Sequence, residues 1–217
     1  MNSEIKNLEL LDAAFAGGTQ KVKSILDKEL TVEEANFWGK KAMKFAIVQG
    51  HSEIMKLLLE RGFYTINTGI YAAIFLEKTE MLIKLLKNNT NATQNAFIYT
   101  VNLGKTEILK TLLGVYDVDL YEKRKDGKSI MDIVKEKNNK KIIDVLSNYE
   151  YKNNQLILAC KSLNVNNVKM FLKKGAKTNF MDENGETALT YSQKAYCKDE
   201  SALARQVEII SLLNINT

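Results

Sequence analysis

The sequence predicts an all-α protein, a solenoid of about seven stacked helix-turn-helix units in a single domain over residues 1–217. Two observations predict it. An apolar pair at i and i+4 puts both side chains on one helical face. Such a pair recurs seven times, as Val22/Leu26, Ile54/Leu58, Met81/Leu85, Ile108/Leu112, Ile142/Leu146, Val168/Leu172 and Ile209/Leu213. The stretch Asn36–Asn67 shows what surrounds each pair: two helical runs broken at Gly50-His51, the second ended by Gly62. Glycine commonly ends a helix because it accepts the left-handed conformation. One helix pair cannot bury its apolar face alone, so neighbours stack and stability sums over units and interfaces.

The pairs are spaced by 32, 27, 27, 34, 26 and 41 residues. The units are read as approximately 8–35, 36–67, 68–91, 92–123, 124–153, 154–181 and 182–217. The first opens at Leu8 and breaks at Gly17-Gly18, and a connection over Glu29–Phe37 leads to the second. The third carries Ile70, Ala73 and Ile74 on one face. The fourth reads GKTEILKTLL, close to GHSEIMKLLL of the second. The fifth has a turn at Asp126-Gly127, the sixth ends in KKGAKTN, and the seventh opens with DENGETAL.

The run Gly50-His51-Ser52-Glu53-Ile54-Met55-Lys56-Leu57-Leu58-Leu59-Glu60-Arg61-Gly62 resembles the second half of an ankyrin repeat, and Gly39 falls where that repeat turns its hairpin finger. Asp182–Leu189 resembles its opening and Gly175–Asn179 its ending. The resemblance implies a unit of about 33 residues. The short spacings then mean that the fingers before units three, four and six are lost, with fingers expected at Asn36–Lys40, Arg124–Lys128 and Asp182–Glu186. The long last spacing holds an insertion, Ser192–Arg205, expected to add a helical turn or two. Tetratricopeptide units hold to 34 residues, which spacings of 26 and 27 oppose.

Composition sets the class. The chain is 45% hydrophobic and 26% charged, with no proline and a formal charge of +5. That permits contact with nucleic acid without demanding it. Two cysteines, Cys160 and Cys197, make no disulfide framework. No basic region followed by an apolar core opens the sequence, and no apolar run approaches the ~20 residues of a membrane span. The expectation is a cytoplasmic protein, an exported effector being compatible with the same features.

The chemistry of catalysis is not legible. Gly104-Lys105-Thr106 and Gly127-Lys128-Ser129 look like the end of a phosphate loop, but Tyr99 and Glu122 stand where that loop needs another glycine. His51 is the single histidine and offers no metal set. Two N-glycosylation patterns, at Asn88 and Asn91, are read as chance in an Asn-rich text. No catalytic residue, metal or cofactor is expected.

The expected function is non-enzymatic binding of a protein partner whose identity the sequence does not give. In ankyrin arrays partners dock on the side formed by finger tips and the last residues of each first helix. The resemblance carries this onto Phe37, Trp38 and Lys40, Val48 and Gln49, Asn102 and Leu103, Lys125, Asp126 and Lys128, and Glu183, Asn184 and Glu186. The alternative is a nucleic-acid or anionic-surface binder using the basic fifth unit, where Lys123, Arg124, Lys125, Lys128, Lys135, Lys137, Lys140 and Lys141 cluster. Glu122, Asp126, Asp132 and Glu136 interrupt that cluster, so nucleic acid is the disfavoured partner.

Overall fold

A computed structural model describes residues 2–28, 30–87 and 89–216, with the backbone alone for residues 2–4 and Thr90. Glu29, where the first connection opens, and Asn88 of one glycosylation pattern lie outside the described residues. The described residues form thirteen α-helices and one 3-10 turn, with no strand. The chain divides into two compact units, Met1–Ile108 and Leu109–Thr217.

The first unit holds α1 (Asn2–Ala16), α2 (Thr19–Lys28), α3 (Val32–Gln49), α4 (Ser52–Glu60), α5 (Ile66–Phe75), α6 (Thr79–Lys87), α7 (Thr93–Asn102) and the start of α8 (Thr106–Val115). They pack as helix pairs, α1 with α2, α3 with α4 and α5 with α6. The first members form a row, α1 on α3 on α5 on α7, and α2 packs on α4. The apolar pairs read from sequence supply much of the core: Val22, Ile54, Leu58, Leu85 and Ile108 are buried, and Met81 is half-buried.

The second unit continues α8 and adds α9 (Ile130–Lys137), α10 (Lys140–Lys161), α11 (Val165–Lys173), α12 (Ala188–Lys194) and α13 (Glu200–Ile215). Helix α10 packs against α9, α11 and α12, and α13 closes on α11 and α12. Leu156, Cys160, Val168, Phe171, Ala188, Ile209 and Leu213 form one buried cluster there.

One local device ends the first helices of successive pairs. Gly17, Gly50, Glu77, Gly104, Asn138 and Leu163 have positive φ, spaced by 33, 27, 27, 34 and 25 residues. After five of them the next N–H reaches back to a small buried residue: Gly18 to Ala13, His51 to Ala46, Lys78 to Ala73, Lys105 to Thr100 and Asn164 to Ala159, at 2.8 to 3.0 Å. This is the Schellman closure, which satisfies carbonyls left over at a helix end. The starts are equally regular. Thr31/Glu34, Thr65/Thr68, Ser129/Asp132 and Thr187/Thr190 make reciprocal capping boxes at α3, α5, α9 and α12. Each box satisfies two N–H groups that have no partner within the helix.

Two expectations are corrected. The finger placed at Asn36–Lys40 does not exist: these residues lie inside α3, whose 18 residues run unbroken from the Thr31 cap to Gly50. Gly39 is a buried helical residue, not a turn. The pair count also falls short of fourteen helices. The segments assigned to the second helix of unit five and the first of unit six are one 22-residue helix, α10, so the boundary between residues 153 and 154 lies within a helix. At the other two expected positions, 124–128 and 182–186, the chain makes a tight turn, called here the first and the second finger. Arg124 N–H binds Lys128 O and Gly127 N–H binds Arg124 O, and the same two bonds join Asp182 to Glu186 and Gly185 to Asp182. The insertion Ser192–Arg205 holds the end of α12, a connection, and the first turns of α13.

Candidate interaction surfaces

In the first unit the outward residues of α3 form two groups. Phe37 is 56% exposed and meets half-buried Trp38 edge to face at 5.3 Å, with Lys41 Nζ over both rings at 4.4 and 4.1 Å. Lys40 beside them is half-buried. Val48, 76% exposed, and Gln49 stand at the C-terminal end of the same helix, roughly 16 Å along the axis from Phe37 at 1.5 Å per residue. The helix therefore separates two groups that were expected to converge as finger tip and helix end. Three residues before Val48 on the same helix, Phe45 meets Phe15 of α1 edge to face at 6.1 Å. Tyr71 stacks on Phe75 within α5 and meets Tyr99 of α7 edge to face at 5.4 Å. Asn102 is exposed and Leu103 half-buried at the end of α7.

His51 joins the first helix pair to the second. Its Nε2 donates to the Phe15 carbonyl at 2.8 Å, and its ring lies against Gly17, where a Cβ would stand 2.8 Å from Cε1. The positive φ of Gly17 and the flat imidazole above it explain why that residue is glycine.

In the second unit the first finger exposes Lys125, Asp126 and Lys128. Much of its basic charge is paired. Lys123 meets Asp132 at 2.5 Å, Lys128 meets Glu136 at 2.7 Å and Arg124 meets Asp126 at 3.4 Å. Lys123, and then the Ser129 N–H and hydroxyl, hold the Asp132 carboxyl far below the usual carboxylate range.

The second finger exposes Glu183 and Asn184 and half-buries Glu186, which pairs with Lys194 at 2.5 Å. Glu183 and Asn184 border a groove of about 540 Å³ whose other side is α10, through Glu150, Asn154, Leu158 and Lys161. Tyr121 and Met181 complete it, and the Tyr121 hydroxyl donates to Glu150. The sequence reading names two of these residues, Glu183 and Asn184. Leu158 and Lys161 occupy the same places before Leu163 as Phe45 and Val48 before Gly50. Extending the helix-end pattern to Leu163 finds them, but no glycine marks that end.

Among the described residues no group of three or more His, Cys, Asp and Glu side chains could hold a metal ion. Among them also, no helix is long and apolar enough to cross a membrane. Burial raises the Cys160 thiol, and Cys197 lies half-buried with its Sγ directed to Ala195 O at 3.7 Å. Comparison with protein-family models and with curated proteins finds no match to the chain.

Proposed function

We propose that the chain is a protein-interaction module built of ankyrin-like helix pairs, without enzymatic activity. One observation carries the reading: six first helices end on a residue of positive φ, 25 to 34 residues apart, and five of them close back on a small buried residue in the same place. Two fingers with the same two backbone hydrogen bonds, each followed by a capping box, support it. Repeated pairs of this kind make a scaffold in which the core is uniform and the outward positions are free to vary. The variation here is chemical: aromatic on α3 and α5, mixed charge on the first finger, acidic on the second.

Docking is assigned to these outward positions, with Phe37 and Trp38 as anchors on α3 and Glu183 and Asn184 on the second finger. Aromatic residues are typical anchors of an interface. Nucleic-acid binding is the weaker reading, since Lys123, Arg124 and Lys128 are neutralised by acids beside them. The test is affinity capture with wild type and two variants, Phe37→Ser and Glu183→Lys, each confirmed folded by circular dichroism. A specific partner captured by wild type and lost by one of them supports the reading. Capture dominated by nucleic acid, and abolished by nuclease, overturns it.

A further inference from the structure

We propose that the groove between α10 and the second finger takes a short segment of a protein partner carrying Lys or Arg beside a bulky apolar side chain. This rests on the interaction-module reading and names the partner chemistry at one of its surfaces.

Shape and apolar character come first. The groove encloses about 540 Å³, within the usual range for a binding cleft of a few side chains. Three large side chains from three elements border it while staying half open to solvent: Tyr121, Leu158 and Met181, at 53, 51 and 49% exposure. An exposed leucine alone needs no explanation. Three bulky groups around one concavity offer a place for an apolar side chain.

Charge selects what accompanies that side chain. The chain carries a formal charge of +5, yet the groove is bordered by Glu150, Asp182 and Glu183 against one cation, Lys161. Lys161 is already engaged, with Nζ 3.7 Å from the Tyr191 ring centre and 4.0 Å from Asp182. Asp182 is engaged as well, accepting from the Tyr191 hydroxyl and the N–H groups of Asn184 and Glu186. Glu150 accepts one hydrogen bond, from Tyr121. Among the described residues no ion pair is found for Glu150 or Glu183, while Glu186 and Asp182 on the same finger each have one. Both carboxylates act on the Tyr121 phenol, so they serve one locality. Two uncompensated carboxylates beside apolar walls complement a cation next to a hydrophobe.

The adjoining hollow, on the other side of Tyr121, Phe180 and Met181, holds about 350 Å³ and is also acidic, but its acids are engaged. Asp117 faces Lys177 at 3.8 Å, and Asp119 accepts the N–H groups of Tyr121 and Glu122. Among the described residues the hollow thus keeps one carboxylate without an ion pair, Asp119, bound to the N–H groups of its own turn, against two in the larger groove, Glu150 and Glu183.

The test uses a random twelve-residue peptide library displayed on phage, selected on the full chain and counter-selected on the double variant Glu150→Gln, Glu183→Gln. Glutamine keeps the length and an acceptor for Tyr121. The recovered peptides are expected to place Lys or Arg next to Leu, Ile, Met, Phe or Trp. A synthetic copy should shift the amide resonances of Tyr121, Leu158, Met181 and Glu183. It should bind the double variant roughly tenfold more weakly, and weaken further as salt screens the charges. Leu158→Ser should weaken it independently; if that variant melts early, the glutamine pair carries the test. Peptides without a charge preference, or bound equally by the double variant, overturn the groove and leave the interaction-module reading standing. Recovery of no saturable peptide also overturns the groove, and the broader reading then stands or falls on partner capture.

Discussion

Phe63 lies so close to Gly39 that a Cβ at residue 39 would stand 2.8 Å from the Cβ and Cγ of Phe63. Real Cβ atoms do not approach so near, and the atoms met are the stem of the ring, which cannot swing aside. The contact explains a glycine in the middle of α3. It has a parallel next door, where a Cβ at Gly69 of α5 would meet the Tyr64 ring at 2.5 Å. Two consecutive aromatics in the turn after α4 thus lodge on the bare backbones of α3 and α5.

The sign of Gly39→Ala tests this contact. Helix propensity favours alanine by about 1 kcal/mol, while overpacking costs roughly 1–3 kcal/mol. We expect the clash to win, with a net loss of up to about 2 kcal/mol in urea melts, and Phe63→Leu in the same chain to recover part of it. A stabilised Gly39→Ala would show that the ring yields freely and that Gly39 is there for another reason.

Gly39 also shows where sequence reading stopped. Gly50, Gly62, Asp126-Gly127 and Asn184-Gly185 were legible because a left-handed position in a turn needs glycine, and all four glycines have positive φ. Gly39 sits eleven residues before Gly50 like a finger glycine, yet it serves close packing, and sequence alone does not separate the two uses. A contrary signal was present: Thr31 and Glu34 have the capping-box spacing and start a helix ahead of the supposed finger. The closures at Glu77 and Leu163 were unmarked because ordinary residues adopt positive φ there, at a cost of about 1–2 kcal/mol, while Asn138 was a weaker mark, since asparagine sometimes takes glycine's place at a left-handed helix end. The fusion within α10 was marked only by the lack of a breaker between Lys140 and Lys161. In the acidic groove, Glu183 and Asn184 were legible from the finger, whereas Glu150 and Tyr121 enter through packing that no local pattern encodes.

His51→Ala should loosen the first helix pair from the second. It removes the hydrogen bond to Phe15 O and the ring covering Gly17. A carbonyl that loses its donor costs about 1–3 kcal/mol where water cannot replace it. We expect a loss near the lower end, since His51 is half-buried, with hydrogen exchange accelerated at amides of α1 and α2 and unchanged in α12 and α13. Uniform acceleration throughout would show that His51 does not act locally.

Acid should weaken the fold through carboxylates held ionised. Asp132 is lowered by Lys123 and Ser129, Glu186 by Lys194 and Asp27 by Arg61. A folded pKa below the unfolded one gives stability that is present above about pH 4 and lost as pH falls toward the folded value. Urea midpoints should therefore decline between about pH 4 and about pH 2, and Asp132→Asn should flatten part of that decline. An unchanged slope in the variant would remove Asp132 from the account.

Alkali should act through two tyrosines. Tyr149 is pushed up to about 12 by burial and then Asp117, and Tyr121 to about 12 by burial and then Glu150 and Glu183. Here the folded pKa lies above the unfolded one, so the stability is complete below about pH 10 and lost as pH rises through about 12. Phenolate absorbance should show late-titrating groups among the nine tyrosines, Tyr116 included because burial raises it too, with one vanishing in Tyr149→Phe and another in Tyr121→Phe. Titration of all nine together near pH 10 would contradict both environments.

Trp38 is the single tryptophan, so its emission reports on the outward face of α3. The edge-to-face pairing with Phe37 contributes about 0.5–1.5 kcal/mol, and Lys41 over the rings about 0.5–1 kcal/mol. Phe37→Ser should thus lower stability by about 1–2 kcal/mol and shift Trp38 emission to the red as water reaches the indole. Lys41→Ala should cost less and change mainly the emission intensity, because an ammonium close to the ring is removed without opening it to solvent. The same signal follows docking on α3. A partner that docks on α3 should move Trp38 emission to the blue as it saturates, and Phe37→Ser should abolish the change. The groove of the second unit, whose lining does not include Trp38, is followed by the amide shifts of its own residues instead. If a partner is captured at full strength by Phe37→Ser while Trp38 stays silent, α3 is not its docking face, and the aromatic pair serves only to cover the helix it lies on.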